Sequence, residues 1–399
     1  MPTPQEILSK PDDPQSDSPL FGLLPAETRN QIFSLALTDY EDPSPDRRYS
    51  DNVCYARPSY FAPRRTDTAL LRTCRAAYRE CRFLPFTLTE QTFWLTPCDY
   101  SPPGYDRLRA GRDLYITAGG LAEQMGQNRV QIEGLRVFTQ MWALWTGNYE
   151  SLPQMWAPWT TKFEALLEIG YVDLKRFTVT VRHVDWGHWE RDAPLMFLGD
   201  WIRGISERMP PCLNEVRIEM ESPERKKHQV DLIANKMAER WFFKKPDGTV
   251  LFADTEGSTM QVSRWRGTST WNGQRWIRDE TDEGVIDYYI LSVTFRPRQV
   301  IEENGGKVGQ LASKWAEDGV WDRDELTLKL PYESPMECEQ PFVDVHEEED
   351  SPLPADDEVP PMMKRATARI AAMGRAAMMR VARRGESAEV LAMRRATMS

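Results

Sequence analysis

The spacing of apolar residues changes repeatedly along this chain, and each change predicts a different element. Across residues 20–37, Ile32, Phe33, Ala36 and Leu37 recur at intervals of three and four, which places them on one stripe of a helix. Pro25 suits the first helical position, where its missing N–H costs nothing, and Glu27 in the first turn complements the macrodipole. Residues 68–81 repeat the pattern with Leu70, Leu71, Cys74, Ala77, Tyr78 and Cys81, so the spacing predicts a second helix and a packed pair. Farther on the period shortens to two. Residues 135–142, 173–184, 212–221 and 248–254 are rich in β-branched and aromatic residues or alternate, and read as strands. Helical patterns lie between them: around 163–167, over 194–209 with Leu195, Leu198, Trp201, Ile202 and Ile205 on one side, and over 225–242 with Val230, Ile233, Met237 and Trp241.

Strand starts near 135, 175, 214 and 249 are thus about 35 to 40 residues apart, each bridged by a helix, a spacing suited to βαβ crossovers. The expected fold class is α/β: a helical pair, then an open, mainly parallel βα-repeat sheet of leucine-rich-repeat-like character. Beyond residue 254 the pattern becomes short strands and turns, with Asn272-Gly273 a strong hairpin signal, so an antiparallel extension is expected, followed by a short amphipathic helix at 309–317.

Composition divides the chain further. Residues 1–18 are polar, acidic and Pro-rich without the apolar centre of a signal peptide, and are expected to be disordered. The helical module spans 19–98 with a Pro-, Asp- and Arg-rich insert at 39–67, and the sheet domain spans 99–330. Residues 333–358 hold eleven Asp and Glu and no Lys or Arg, whereas 361–399 hold nine Lys and Arg against two Glu. An acidic disordered linker over 331–360 and a basic low-complexity tail over 361–399 follow from that asymmetry. The net charge of −11 argues against nucleic-acid binding by the body and leaves the basic tail as the one segment suited to it. No run approaches the roughly 20 apolar residues a bilayer span needs. Six cysteines without a C-x-x-C pair read as free thiols in a reducing compartment, the cytoplasm or nucleus.

The string Leu24-Pro25-x-Glu27 followed by Ile32-Phe33 resembles the opening of the F-box, and Leu71-x-x-Cys74-Arg75-x-x-Tyr78 resembles its second helix. The wording LPAETRNQIF and LLRTCRAAYRE is similar to fungal F-box-like proteins with two E-x-R motifs, here Glu27-Thr28-Arg29 and Glu80-Cys81-Arg82. The resemblance covers about the first quarter of the chain. It implies that this module docks on a Skp-type adaptor of a cullin-RING (SCF-type) ubiquitin ligase while the rest of the chain holds a substrate protein. Leu24, Pro25, Glu27, Ile32, Phe33, Leu71, Cys74 and Tyr78 would then form or support the partner-binding face. Thr28 and Arg29 stand where an F-box carries apolar residues, and an insert separates the helices. Those departures define the alternative, an F-box-like scaffold or interaction protein without a ubiquitin-ligase role.

Catalytic chemistry has one candidate. His183, Asp185, His188 and Glu190 stand together, and on a strand His183 and Asp185 would share a face. Their spacing matches no closed zinc pattern, so no metal and no cofactor is expected and an enzyme with a site near His183 is the third reading. Residues 304–310 carry glycines and a lysine but lack the phosphate-loop pattern. Of fourteen tryptophans most are expected in the core, with Trp265, Trp271 and Trp276 the expected exposed exception and a candidate substrate-binding surface. Drawn as a helix, the basic tail gathers Met363, Ile370, Met378 and Val381 on one side and arginines on the other, so a partner-binding helix stands beside a solvated tail.

Overall fold

The structure, a computed structural model, describes residues 15–144, 163–257, 259–319, 321, 326–330 and 341–344, with positions 9, 11 and 13. The acidic stretch beyond 344, the basic tail, and Trp145, Trp156 and Trp159 lie outside the described residues.

Ala26–Leu37 (α1) begins directly after Pro25 and carries Glu27 in its first turn. The second helix is shorter than its periodicity predicts. Residues Ala69–Arg72 form a 3-10 turn, the backbone extends at Cys74, and the α-helix runs only over Arg75–Cys81 (α2). The break comes from Cys74 acting as a cap: its Sγ accepts the Ala77 N–H, which a continuous helix would have bonded to the carbonyl four residues back. Leu84–Leu88 (α3) follows. Phe33, Leu37 and Cys81 make a small core with Leu20, Phe21, Leu70, Leu71 and Leu84 packed around it.

Next comes Glu90–Leu95 (β1), then Arg107–Met125 (α4), capped by the Asp106 carboxylate at one end and by left-handed Gly126 at the other. Val130–Thr139 (β2), Val172–Val181 (β3) and Glu215–Pro223 (β4) continue the sheet, and β1 to β4 lie side by side in chain order, all parallel. Trp201–Ser206 (α5) and Lys227–Arg240 (α6) flank β4 in the chain. The boundary at residue 98 therefore falls inside a βαβ unit, and residues Met1–Val345 group together. β1 escapes a periodicity search because Glu90, Gln91 and Thr92 carry little apolar signal.

Phe242–Lys244 (β5), Val250–Phe252 (β6), Met260–Thr268 (β7), the hairpin Thr270–Trp271 (β8) and Gln274–Arg275 (β9), and the long Val285–Pro297 (β10) follow. β10 runs antiparallel to β4 on one side and to β7 and then β6 on the other. So the strand near 249 is not a fourth parallel rung: it pairs with the end of β10, and the parallel run gains β1 instead. The Asn272-Gly273 turn has positive φ at both residues, as a two-residue hairpin of this hand requires. Arg298–Glu303 (α7) and Gln310–Asp318 (α8) follow, the latter where the amphipathic pattern predicts it. Val343–Asp344 adds antiparallel to β9, with Phe342 against Trp276, so residues 341–344 belong to the fold and not to a disordered linker.

Pleating gives the sheet two unlike faces. Leu135 and Val137 of β2, Phe177, Val179 and Val181 of β3, Val216, Ile218 and Met220 of β4, and Leu291, Val293 and Phe295 of β10 are buried with α4, α5 and α6. Each such side chain contributes roughly 1.5–3 kcal/mol when fully buried. The opposite face carries Arg136, Thr178, Thr180, Glu219 and Glu221, and residues 39–67 cover part of it.

Candidate interaction sites

On α1, Phe33 and Leu37 turn inward, whereas Ile32 is 40% exposed and Leu35 81% exposed. Ile32 and Ala36 thus leave the single stripe expected from spacing, because α2 and α3 cover only the Phe33–Leu37 side. Leu23, 80% exposed, and Pro25, also exposed, precede the helix; Leu24 is half-buried and Glu27 exposed. Leu71 and Tyr78 are half-buried, and Cys74 serves as the cap of α2. Arg29 spans the pair: its Nε donates to Glu80 Oε1 at 3.0 Å, its Nη1 to the Leu24 carbonyl at 2.7 Å, and its guanidinium lies over Phe21. The arginine of the first E-x-R motif thereby meets the glutamate of the second, a pairing invisible in the sequence because 51 positions separate them.

A second constellation occupies the polar face of the sheet. Arg136 donates to Glu90 Oε2 at 2.7 Å and to Thr180 Oγ1 at 2.9 Å, and lies 3.3 Å from Glu219 Oε1. Arg57, delivered by residues 39–67, donates to Glu219 Oε1 at 2.9 Å and lies 3.4 Å from Glu221 Oε2. Burial alone raises a carboxyl's pKa, yet the Arg57 and Arg136 charges outweigh it and hold Glu219 down at about 2. Trp94 and Phe138 stack at 4.0 Å beneath this network, with Arg182 over both rings and Arg57 over Phe138. Glu221 also accepts the indole N–H of Trp265 at 3.2 Å.

The His183 cluster does not assemble. β3 ends at Val181, so His183 and Asp185 sit in a 3-10 turn, not on one strand face. Asp185 takes a two-pronged ion pair from Arg182, at 2.6 and 3.0 Å. His183 is buried with Nε2 3.4 Å from Asp279, which also accepts from Arg225 Nε at 2.7 Å and Arg278 at 2.9 Å. Burial opposes ionisation of Asp279, but His183, Arg278 and Arg225 outweigh it and keep its pKa far below the ordinary carboxylate value. His188 and Glu190 face solvent. A cavity of about 20 Å³, room for one water, lies between His183, Glu221, Cys54, Trp265 and Trp271. Among the described residues no group of three or more His, Cys, Asp or Glu side chains is placed to hold a metal ion.

Trp271 and Trp276 are buried, which corrects their expected exposure, and only Trp265 keeps part of its ring at the surface. The tight turn folds their rings onto Trp189, with Trp276 4.4 Å away, and Phe342 closes the other side. Trp186 and Trp189 are core, and Trp142 is exposed. Sequence reasoning missed Arg57, Arg136, Glu219 and Glu221; the available signal was charged residues on the alternate positions of strands whose other face is apolar. No helix among the described residues is long and apolar enough to cross a membrane. No family model, curated protein or solved structure matches the chain.

Proposed function

We propose that this chain is a non-catalytic protein–protein interaction protein. α1 and α2 act as an F-box-like module that docks on a Skp-type adaptor, and the leucine-rich-repeat-like run β1–β4 holds a substrate protein for a cullin-RING ubiquitin ligase. The observation that carries this reading is the outward side of α1 and its approach: Ile32 and Leu35 on the helix and Leu23 and Pro25 before it are exposed, while Phe33 and Leu37 already form the internal core. Isolated exposed apolar residues are ordinary, but Ile32 and Leu35, three positions apart on one side of α1 with Leu23 exposed just before it, supply the apolar anchors a partner could cover. Asp185 is buried in an ion pair with Arg182, and His183 is buried with Nε2 3.4 Å from Asp279, an arrangement that supports a non-catalytic role over an enzyme with a site near His183. The free thiols of Cys54, Cys74, Cys81, Cys98 and Cys212 fit a cytoplasmic or nuclear location.

One observation favours the scaffold alternative: Arg29, at a position where an F-box carries an apolar residue, is engaged internally with Glu80. Affinity purification with mass spectrometry separates the two readings. Adaptor and cullin should be recovered together, and lost in Leu35→Asp with circular dichroism unchanged. Recovery of other proteins without adaptor or cullin would establish the scaffold reading.

A further inference from the structure

Residues 39–67 form a strap that is folded against itself. The Asp42 N–H donates to the Pro63 carbonyl, Tyr49 to Phe61 and Tyr60 to Arg57; Tyr40–Glu41 pairs with Arg64–Arg65, and Asp39 pairs with Arg64 at the base. Among the described residues, the strap's hydrogen bonds to the sheet run through side chains: Arg57 to Glu219, Tyr60 Oη with Thr92, and Arg182 to the Cys54 carbonyl. Tyr55 and Tyr60 of the strap also pack on Trp94 and Phe138, and Phe61 on Trp265, so opening the strap as a unit while its Asp39–Arg64 base stays closed exposes that aromatic cluster together with the Arg57 site.

What the strap inserts is a guanidinium, and what receives it is two carboxylates and an aromatic face. Arg57 is 4% exposed and lies 5.7 Å from the centre of the Phe138 ring, with Glu219 and Glu221 both within 3.4 Å. A planar fork with a delocalised charge satisfies such a receptor, whereas a compact ammonium does not. The fit of the resident side chain is incomplete: Arg57 Nε and Nη1 are buried with no hydrogen-bond partner among the described residues. Buried donors left unpaired weaken the strap's hold on its own site.

We propose that the surface formed by Glu219, Glu221 and Phe138 is an arginine-accepting pocket for a partner protein, occupied in the resting chain by Arg57 of its own strap. The inference rests on the reading of the sheet as a partner-recognition surface. An arginine of the partner displaces Arg57 and lifts the strap, so the strap tunes affinity by competing at the effective concentration, in the mM range, typical of a short tether.

The test uses the full chain and two small probes, N-acetyl-arginine methylamide and its lysine counterpart. Arg57→Ala should bind the arginine probe at least tenfold tighter than the unaltered chain does in calorimetry, prefer it to the lysine probe, and lose that gain when Glu221→Gln is added. A folded Arg57→Ala chain that binds neither probe, or both equally, overturns the proposal. Should that variant fail to fold, hydrogen exchange on the unaltered chain decides. The Tyr49 and Tyr60 amides should exchange by local opening and at least tenfold faster with 10 mM arginine probe. Exchange only through global unfolding, or unmoved by the probe, refutes a displaceable strap. Because no adaptor is present, failure here is distinct from failure of α1 docking.

Discussion

Phe33 and Leu35 sit two positions apart on α1 and have opposite roles. Phe33 fills the core between α1 and α2, so Phe33→Ala should destabilise the chain by about 3–5 kcal/mol in urea unfolding, through lost transfer energy plus a cavity. Leu35→Ala removes a side chain already in water and should change stability by less than about 0.5 kcal/mol. Glu219 carries a pH dependence of a predictable sign. Its carboxyl titrates at about 2 in the folded chain against an ordinary 4.5, so the folded state holds the proton less well than the unfolded one. The stabilisation is complete above pH 4.5 and is lost as pH falls toward 2, on the order of 3 kcal/mol. Urea unfolding from pH 6 down to pH ~2 should show that loss, and Glu219→Gln should remove it.

Between elements, the contacts that matter join segments distant in the chain. Arg29 ties α1 to α2 through Glu80 while also bonding the Leu24 carbonyl, so Arg29→Met should cost about 1–3 kcal/mol and leave each helix intact. A double-mutant cycle with Glu80→Gln should return a coupling near 1 kcal/mol; additive effects would show that the pair merely coincides in space. The β8–β9 turn depends on left-handed Gly273, and Gly273→Ala should cost about 1 kcal/mol and loosen the Trp271–Trp276 packing, visible in near-ultraviolet circular dichroism.

For the whole molecule, the stable body extends past residue 330. Phe342 packs on Trp276, Val343–Asp344 pairs with β9, and the Arg278 amide donates to the Pro341 carbonyl. A chain ending at residue 330 should melt several degrees below one ending at 345, with Trp emission shifted to the red as Trp276 gains solvent. Equal melting would mean that residues 341–344 add no stability.

Local periodicity was enough to determine α1, α6, α8, the cores of β2, β3 and β4, and the Asn272-Gly273 turn, because backbone conformation there follows from neighbours a few residues away. The docking role of Leu24, Pro25 and Ile32 came from the resemblance of the string around them and not from periodicity; the structure leaves Pro25 and Ile32 exposed and Leu24 half-buried. Tertiary structure alone decided the rest. Which apolar side of α1 is covered depends on where α2 and α3 pack, and whether the strand at 250–252 runs with or against its neighbours depends on β10 lying beside it. Trp271 and Trp276 are inside because the hairpin folds both rings onto Trp189 and Phe342 closes over Trp276. The charged face of the sheet is tolerable because Arg57, 162 positions from Glu219, arrives to neutralise it. A buried carboxylate must find a cation at hydrogen-bond distance, and nothing in local sequence says which arginine the folded chain will bring.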